Sequence, residues 1–168
     1  LPTLKWSTEL VGTITEKAAS ETGLPKGIPV TTGTIDAAAE AISIGLTNEG
    51  DTLCMDGSTI FMISLTREQK SDPRLWYAPW LFEGEHASMA GLATSGTLTH
   101  WFREQFGKEL DLNSSFAELT KEANTSQPGA NGIVFLPYFS GERTPIHDPK
   151  AKGTIFGLRL DHVRGDIY

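Results

Sequence analysis

The chain has 168 residues, enough for one ordinary domain or parts of two, and its 39% hydrophobic and 21% charged residues are those of a globular protein. Fourteen Lys and Arg against 21 Asp and Glu give a formal net charge of -7; without a basic cluster, this argues against a nucleic-acid partner. No run approaches the ~18 apolar residues of a membrane helix, and no basic segment with an apolar core opens the chain, so no membrane partner is expected.

Thr13-Ile-Thr-Glu16 has the form of a capping box opening a helix through Lys17–Ser20, with Gly23 as its stop. Leu24–Gly27 is a turn, and Gly27-Ile-Pro-Val30 reads as a short buried strand. Thr31-Thr-Gly-Thr-Ile-Asp36 leads into an alanine-rich helix from Ala37 to Gly45. This strand–helix alternation is α/β in character. Asp36 sits where the strand ends and the helix begins, the edge at which open α/β sheets gather ligands. A carboxylate there either caps the helix or accepts a proton from a bound hydroxyl.

Asp51–Met55 and Ile60–Leu65 are two β-prone runs around Asp56-Gly-Ser-Thr59, which predicts a hairpin. Gly57, Ser58 and Thr59 at its tip offer backbone N–H groups and two hydroxyls with no bulk in the way, as a phosphate-receiving turn requires. No Walker A sequence is present. Cys54, the single cysteine, lies in an apolar run and reads as a buried structural thiol; one unpaired thiol is compatible with a cytoplasmic protein.

Residues 67–74 form a polar link, and Leu75–Phe82 is an aromatic stretch read as core or interdomain packing. Ala90–Gly96 is small and permissive. Apolar residues at 98, 101, 102 and 106 predict a helix stopped by Gly107, and Ser115-Phe-Ala-Glu118 a second capping box opening a short helix to about Ala123. Gly132–Phe139 reads as a strand buried at Ile133–Leu136, followed by a Pro-rich turn from Ser140 to Pro149. Glu142 with Arg143, and Asp148, read as a rigid turn held by local ion pairs. The histidines, His86, His100, His147 and His162, lack partners at zinc-ligand spacing, so no metal site is expected from them. The chain opens at Leu1 without Met and stops at Tyr168 as residues 163–168 begin an element; the expectation is a piece of a longer protein.

Four stretches occur in one order: Ile28-Pro-Val-Thr-Thr-Gly-Thr-Ile-Asp36, Gly57-Ser-Thr59, Ser95-Gly-Thr-Leu-Thr-His-Trp-Phe-Arg103, and Phe135-Leu-Pro-Tyr-Phe-Ser-Gly-Glu-Arg-Thr-Pro145 with Gly153-Thr-Ile-Phe-Gly157 behind it. Together they resemble the FGGY carbohydrate kinases, most closely the xylulokinase-like branch, over essentially the whole chain. The resemblance implies a partial ribonuclease-H-like fold of the actin/hexokinase type, with a mixed sheet and flanking helices. Residues 1–45 would end the first, sugar-binding domain and residues 46–168 would begin the second, nucleotide-binding domain.

It also implies ATP-dependent phosphorylation of a sugar hydroxyl, with a ketopentose such as xylulose first among acceptors, and ATP and Mg²⁺ as partners. Asp36 would be the catalytic base and touch the sugar. Gly57, Ser58 and Thr59 would approach the phosphates, with Gly-Ser-Thr standing where the family has Gly-Thr-Ser or Gly-Thr-Gly. Gly96 and His100 would contact the nucleotide, His100 standing where glycerol kinases carry Gln. The Gly-Glu-Arg-Thr-Pro segment would be architectural, and a homodimer would fit the family. The family's Asp-x-Gly-Thr phosphate loop, metal-associated carboxylate and Gly-Gly adenosine motif find no match in the chain, so these 168 residues alone are expected to be inactive. An actin- or chaperone-like nucleotide switch and a sugar-binding regulator derived from a kinase share the fold and remain the alternatives.

Overall fold

The computed structural model describes residues 2–69 and 71–168. Contacts divide the chain into two compact units, Leu1–Leu53 with Ile63–Met89, and Cys54–Met62 with Ala90–Tyr168.

In the first unit, β1 (Leu10–Thr13) and β2 (Pro29–Thr31) form an antiparallel pair with a bulge between Leu10 and Gly12. Between them runs α1 (Glu16–Thr22). Its cap is Thr15 rather than Thr13: the Thr15 hydroxyl accepts the Ala18 N–H at 3.2 Å, while Thr13 is still in β1. Gly23 closes the helix as expected, in the left-handed region at φ 76°, its N–H on the Ala19 carbonyl. The strand at Pro29–Thr31 exists but is not buried; only Val30 is half-buried.

Helix α2 (Asp36–Ser43) packs Ala38 and Ala41, three residues apart, into the core. They join Leu46, Leu53, Ile63, Leu65, Trp80, Leu81 and Ala87, each less than 9% exposed. Removing one of the leucine or isoleucine side chains from water contributes roughly 1.5–3 kcal/mol, and an alanine methyl about 0.8 kcal/mol.

The hairpin is present as β3 (Thr52–Asp56) and β4 (Ile60–Thr66). Two strands that the sequence reading did not foresee follow, β5 (Trp76–Pro79) and β6 (His86–Leu92), in the sheet order β3-β4-β6-β5. β5 pairs antiparallel with β6, from Trp76 opposite Met89 to Pro79 opposite His86. The aromatic stretch is buried only in part: Trp80 and Leu81, just beyond β5, are buried, whereas Trp76 and Phe82 are 36% and 41% exposed. Cys54 is exposed, not buried, because it alternates with inward-facing Leu53 on β3. The polar link over 67–74 includes Lys70, which lies outside the described residues.

The second unit carries α3 (Gly96–Phe106), ending at Gly107 as expected. Next come α4 (Ser115–Ala123), a single 3-10 turn at Ala130–Gly132, the antiparallel pair β7 (Val134–Leu136) and β8 (Thr154–Phe156), and α5 (Arg164–Ile167). The Ser115–Glu118 capping box does not form. Ser114 occupies the cap without a side-chain bond, and Ser115 is buried inside the helix with its hydroxyl on the Leu112 carbonyl at 3.3 Å. β7 is shorter and more open than expected, with Val134 54% and Leu136 39% exposed: a two-stranded ribbon covers few of its own side chains.

Phe102 and Leu119 are this unit's buried apolar side chains, and Phe102 stands 5.0 Å from Phe106 and 5.4 Å from Tyr168 between ring centres. Gly165 lets α5 lie on α4, since a Cβ there would come within 2.5 Å of the Glu122 carbonyl oxygen. Arg164 then pairs with both Glu109 and Glu122.

Candidate functional site

β2 continues as a ladder beyond its last residue, with the Thr32 N–H on the Glu9 carbonyl and the Gly33 N–H on the Ser7 carbonyl, each at 3.0 Å. Gly33 then turns the chain at φ +74°, a conformation that glycine adopts without a Cβ penalty. Ile35, in extended backbone, caps α2 without a side-chain bond. Asp36 is thus the first helical residue, not the cap. Among the described residues its Oδ1 accepts only the neighbouring Ala37 N–H, at 2.8 Å, and the residue is exposed. A single local bond leaves most of the acceptor capacity of this carboxylate open, which suits a base and does little for capping.

The Gly57-Ser58-Thr59 turn lies in the second unit, with Gly57 and Ser58 exposed and Thr59 half-buried. Inside the turn, the Gly57 N–H donates to the Thr59 carbonyl at 3.0 Å. The turn's own carbonyls face the start of α3: Ser58 O accepts the Ser95 N–H at 3.0 Å, and Gly57 O accepts the Gly96 N–H at 2.9 Å. Thr97 adds its hydroxyl to Ser58 O at 3.1 Å, and the Ser95 hydroxyl donates to Asp56 Oδ1. With its acceptors used, the turn presents the N–H groups of Ser58 and Thr59 and two hydroxyls, a donor set matched to an anion.

The geometry makes Gly96 a close-approach residue. A Cβ there would sit 2.6 Å from the Gly57 carbonyl oxygen, so any side chain would push turn and helix apart. Its N–H is committed to that carbonyl and its own carbonyl accepts the Thr99 hydroxyl at 2.7 Å, so what Gly96 can offer a ligand is a Cα without a side chain. His100, one turn further along α3, is exposed and packs edge-on to Phe116 at 4.9 Å, and the Arg103 guanidinium lies 5.2 Å from the centre of the same ring. An apolar cavity of about 380 Å³ adjoins the turn's partner Ser95 and is lined by Leu92, Leu98, Phe102, Phe135 and Tyr168.

Two groups that matter here escaped sequence reasoning, Asp56 with Ser95, and the Gly141–Pro149 loop as a clamp. Thr144 grips Gly91 of β6 at both ends: its hydroxyl accepts the Gly91 N–H at 2.6 Å and donates to the Gly91 carbonyl at 2.8 Å, and its own N–H reaches that carbonyl at 3.2 Å. Glu142 Oε1 accepts the Ala93 N–H at 2.9 Å and the Arg143 N–H at 2.6 Å. Glu142 therefore binds backbone, whereas the sequence had suggested a Glu–Arg ion pair. Asp148 caps its own turn through the Lys150 N–H at 2.8 Å. The bonds to Gly91 and Ala93 could not be foreseen, because they join residues about fifty positions apart.

Among the described residues no three His, Cys, Asp or Glu side chains converge as a metal site. The turn's donors are N–H and O–H groups with one carboxylate, Asp56, beside them, a set that fits phosphate better than a bare cation.

A family model described as the FGGY family of carbohydrate kinases, C-terminal domain, matches residues 52–168. The xylulose kinase of Lactococcus lactis is 34% identical over 164 residues, 96% of this chain and 32% of that protein. The xylulose kinase of Bacillus subtilis is 30% identical, over 97% of this chain and 32% of its own length. The solved xylulose kinase of Rhodospirillum rubrum superposes with a TM-score of 0.89 at 36% identity, over 99% of this chain and 33% of that one. The chain thus spans about a third of the length of the relatives it matches. The fold is of the actin/hexokinase type shared by these sugar kinases. On the match over residues 52–168 and the xylulose kinases that align along nearly its full length, the chain belongs to the FGGY family of carbohydrate kinases.

Proposed function

We propose that this chain forms part of a kinase that transfers the terminal phosphoryl group of ATP to a hydroxyl of a ketopentose such as xylulose. Residues 1–45 end the sugar-binding domain and residues 46–168 begin the nucleotide-binding domain, a division supported by the family's C-terminal domain matching from residue 52. The acceptor is drawn from the relatives, of which several are xylulose kinases.

The observation that carries the reading is the turn at Gly57-Ser58-Thr59, whose Gly57 and Ser58 carbonyls are occupied by N–H groups at the start of α3 and whose Thr59 carbonyl is bonded within the turn, leaving its remaining N–H and hydroxyl groups for an anion. Phosphoryl transfer asks a protein mainly to position reactants and balance charge. The turn's N–H and hydroxyl groups hold the phosphates, and Gly96 and His100 at the start of α3 flank the nucleotide. Mg²⁺ would come with the ATP phosphates, as this ion commonly does, and would supply charge that offsets theirs. Asp36, exposed and bonded only to its neighbour's N–H, receives the proton of the attacking sugar hydroxyl. Because the chain covers about a third of its relatives, transfer is assigned to the longer protein, and the 168 residues alone should be inactive.

The test is phosphoryl transfer from ATP by the full-length protein across a panel of ketoses and polyols, with the natural sequence and with Asp36→Asn. One sugar turned over by the parent and nearly lost in the variant is expected. Equal activity in both proteins would remove Asp36 from the chemistry. ATP binding with no transfer to any sugar would favour a nucleotide switch.

A further inference from the structure

Glu142 is 4% exposed, and its Oε2 is enclosed with no hydrogen-bond partner among the described residues; the same holds for the Thr94 hydroxyl. An enclosed polar oxygen without a hydrogen-bond partner costs free energy, so its place in the fold needs a reason. Its one long-range bond identifies that reason. Oε1 holds the Ala93 N–H, and two residues later the chain supplies Ser95 and Gly96, whose N–H groups carry the Ser58 and Gly57 carbonyls.

The loop that presents Glu142 is itself rigid. Its N–H donates to the Asp148 carbonyl at 2.9 Å, Gly141 has φ +75° and no room for a Cβ against Pro149, whose carbonyl oxygen would lie 2.7 Å away, and Thr144 is fixed to Gly91 at both backbone groups. Residues 91–93 are therefore held from the side by one closed loop, immediately before the corner on which the phosphate turn rests.

We infer that Glu142 is a positioning residue for nucleotide binding: through Ala93 it sets the height of the Ser95–Gly96 corner, and so the direction in which Gly57-Ser58-Thr59 presents its donors. Thr144 supports it from Gly91. The inference rests on the kinase reading above for the identity of the ligand, but not on transfer taking place.

The test uses the full-length protein as parent, Glu142→Ala, Glu142→Gln and Thr144→Val. ADP affinity is read by titration calorimetry in the presence of Mg²⁺, and KM for ATP, KM for sugar and kcat are read wherever transfer occurs. Glu142→Ala should weaken ADP binding and raise KM for ATP by about tenfold, with KM for sugar and kcat within twofold. Glu142→Gln keeps an acceptor for the Ala93 N–H and should stay within threefold of the parent. Thr144→Val should give a smaller loss, about threefold.

A purely structural Glu142 would lower the melting temperature and the active fraction while leaving ADP affinity per folded molecule unchanged, and that result overturns the inference. So does a glutamine variant as impaired as the alanine one, since then geometry is not what the carboxylate supplies. Should Glu142→Ala fail to fold, unchanged ADP affinity in Thr144→Val overturns the clamp on its own. A parent that binds ADP but transfers to no sugar defeats the kinase reading and leaves the clamp to be judged on affinity; a parent that binds no ADP defeats both.

Discussion

The corners at which α2 and α3 begin are built in opposite ways. At α2 the cap residue Ile35 supplies no side-chain bond, and Asp36 stands exposed with a single local partner. At α3 the first N–H groups are occupied by carbonyls from a turn nearly forty residues earlier, and the Ser95 hydroxyl is tied to Asp56. The first corner leaves a reactive side chain loosely held by its own backbone. The second has no strongly reactive side chain and a rigid backbone. Proton abstraction needs a carboxylate that a substrate can reach, whereas phosphate binding needs N–H groups that do not move. Under the proposed function, each corner is matched to one of these demands.

Substitutions should separate the two kinds of corner. Asp36→Asn should lower kcat of the full-length protein by about 10²–10⁴-fold, the usual contribution of a general base. Its stability should change by less than about 0.5 kcal/mol, because the amide oxygen still accepts the Ala37 N–H on an exposed surface. Gly96→Ala should do the reverse. With 2.6 Å between the new Cβ and the Gly57 carbonyl oxygen, overpacking should cost about 1–3 kcal/mol of stability, with nucleotide affinity falling as the turn moves. Thermal unfolding beside kinetics checks both. A Gly96→Ala protein with parental stability would mean that the α3 corner is as loose as the α2 corner. Ser95→Ala, which removes one hydroxyl bond to a solvent-accessible carboxylate, should cost only about 0.5–1 kcal/mol.

The α2 corner was largely legible in the sequence and the α3 corner was not, for one physical reason. Ala37–Ala41 announces a helix by composition, and Asp36 announces its start, so position alone raised the question of a base. At α3 the helix was legible from the spacing of 98, 101, 102 and 106, and the Gly57-Ser58-Thr59 turn from its small residues. Their bonding to each other was not, because Gly57 to Gly96 and Glu142 to Ala93 are contacts made by folding, with no periodicity to betray them. The same limit explains the strands at Trp76–Pro79 and His86–Leu92, whose small and aromatic residues take their conformation from the sheet they join. Cys54 was misplaced because an apolar run does not say which of its alternate residues faces inward.

The shallowest effect distinguishes the units by acid. Asp166 on α5 accepts the Ser126 hydroxyl at 2.6 Å, then the Val163 N–H and the Asn131 amide, each at 2.9 Å. These bonds, the Ser126 one foremost, hold its carboxyl below the ordinary value of 3.8. A carboxyl with a depressed folded-state pKa stabilises the fold fully above its unfolded value and loses that contribution as pH falls through the folded value. Asp166 therefore favours the second unit above about pH 4, and the benefit fades below it. The first unit has its own depressed carboxyls, Asp51 held by Asn48 and Asp72 drawn down to about 2 by Arg74, so acid sensitivity of the whole protein proves nothing about α5. The difference between parent and Asp166→Asn isolates it. The gap in melting temperature should be widest at pH 5–7 and close below pH 4, where the parent's carboxyl takes up its proton. A gap that stays constant down to pH 2 would show that α5 is held by packing on α4 and by the Arg164 pairs alone, and that the unit carrying the Gly57-Ser58-Thr59 turn owes no acid sensitivity to Asp166.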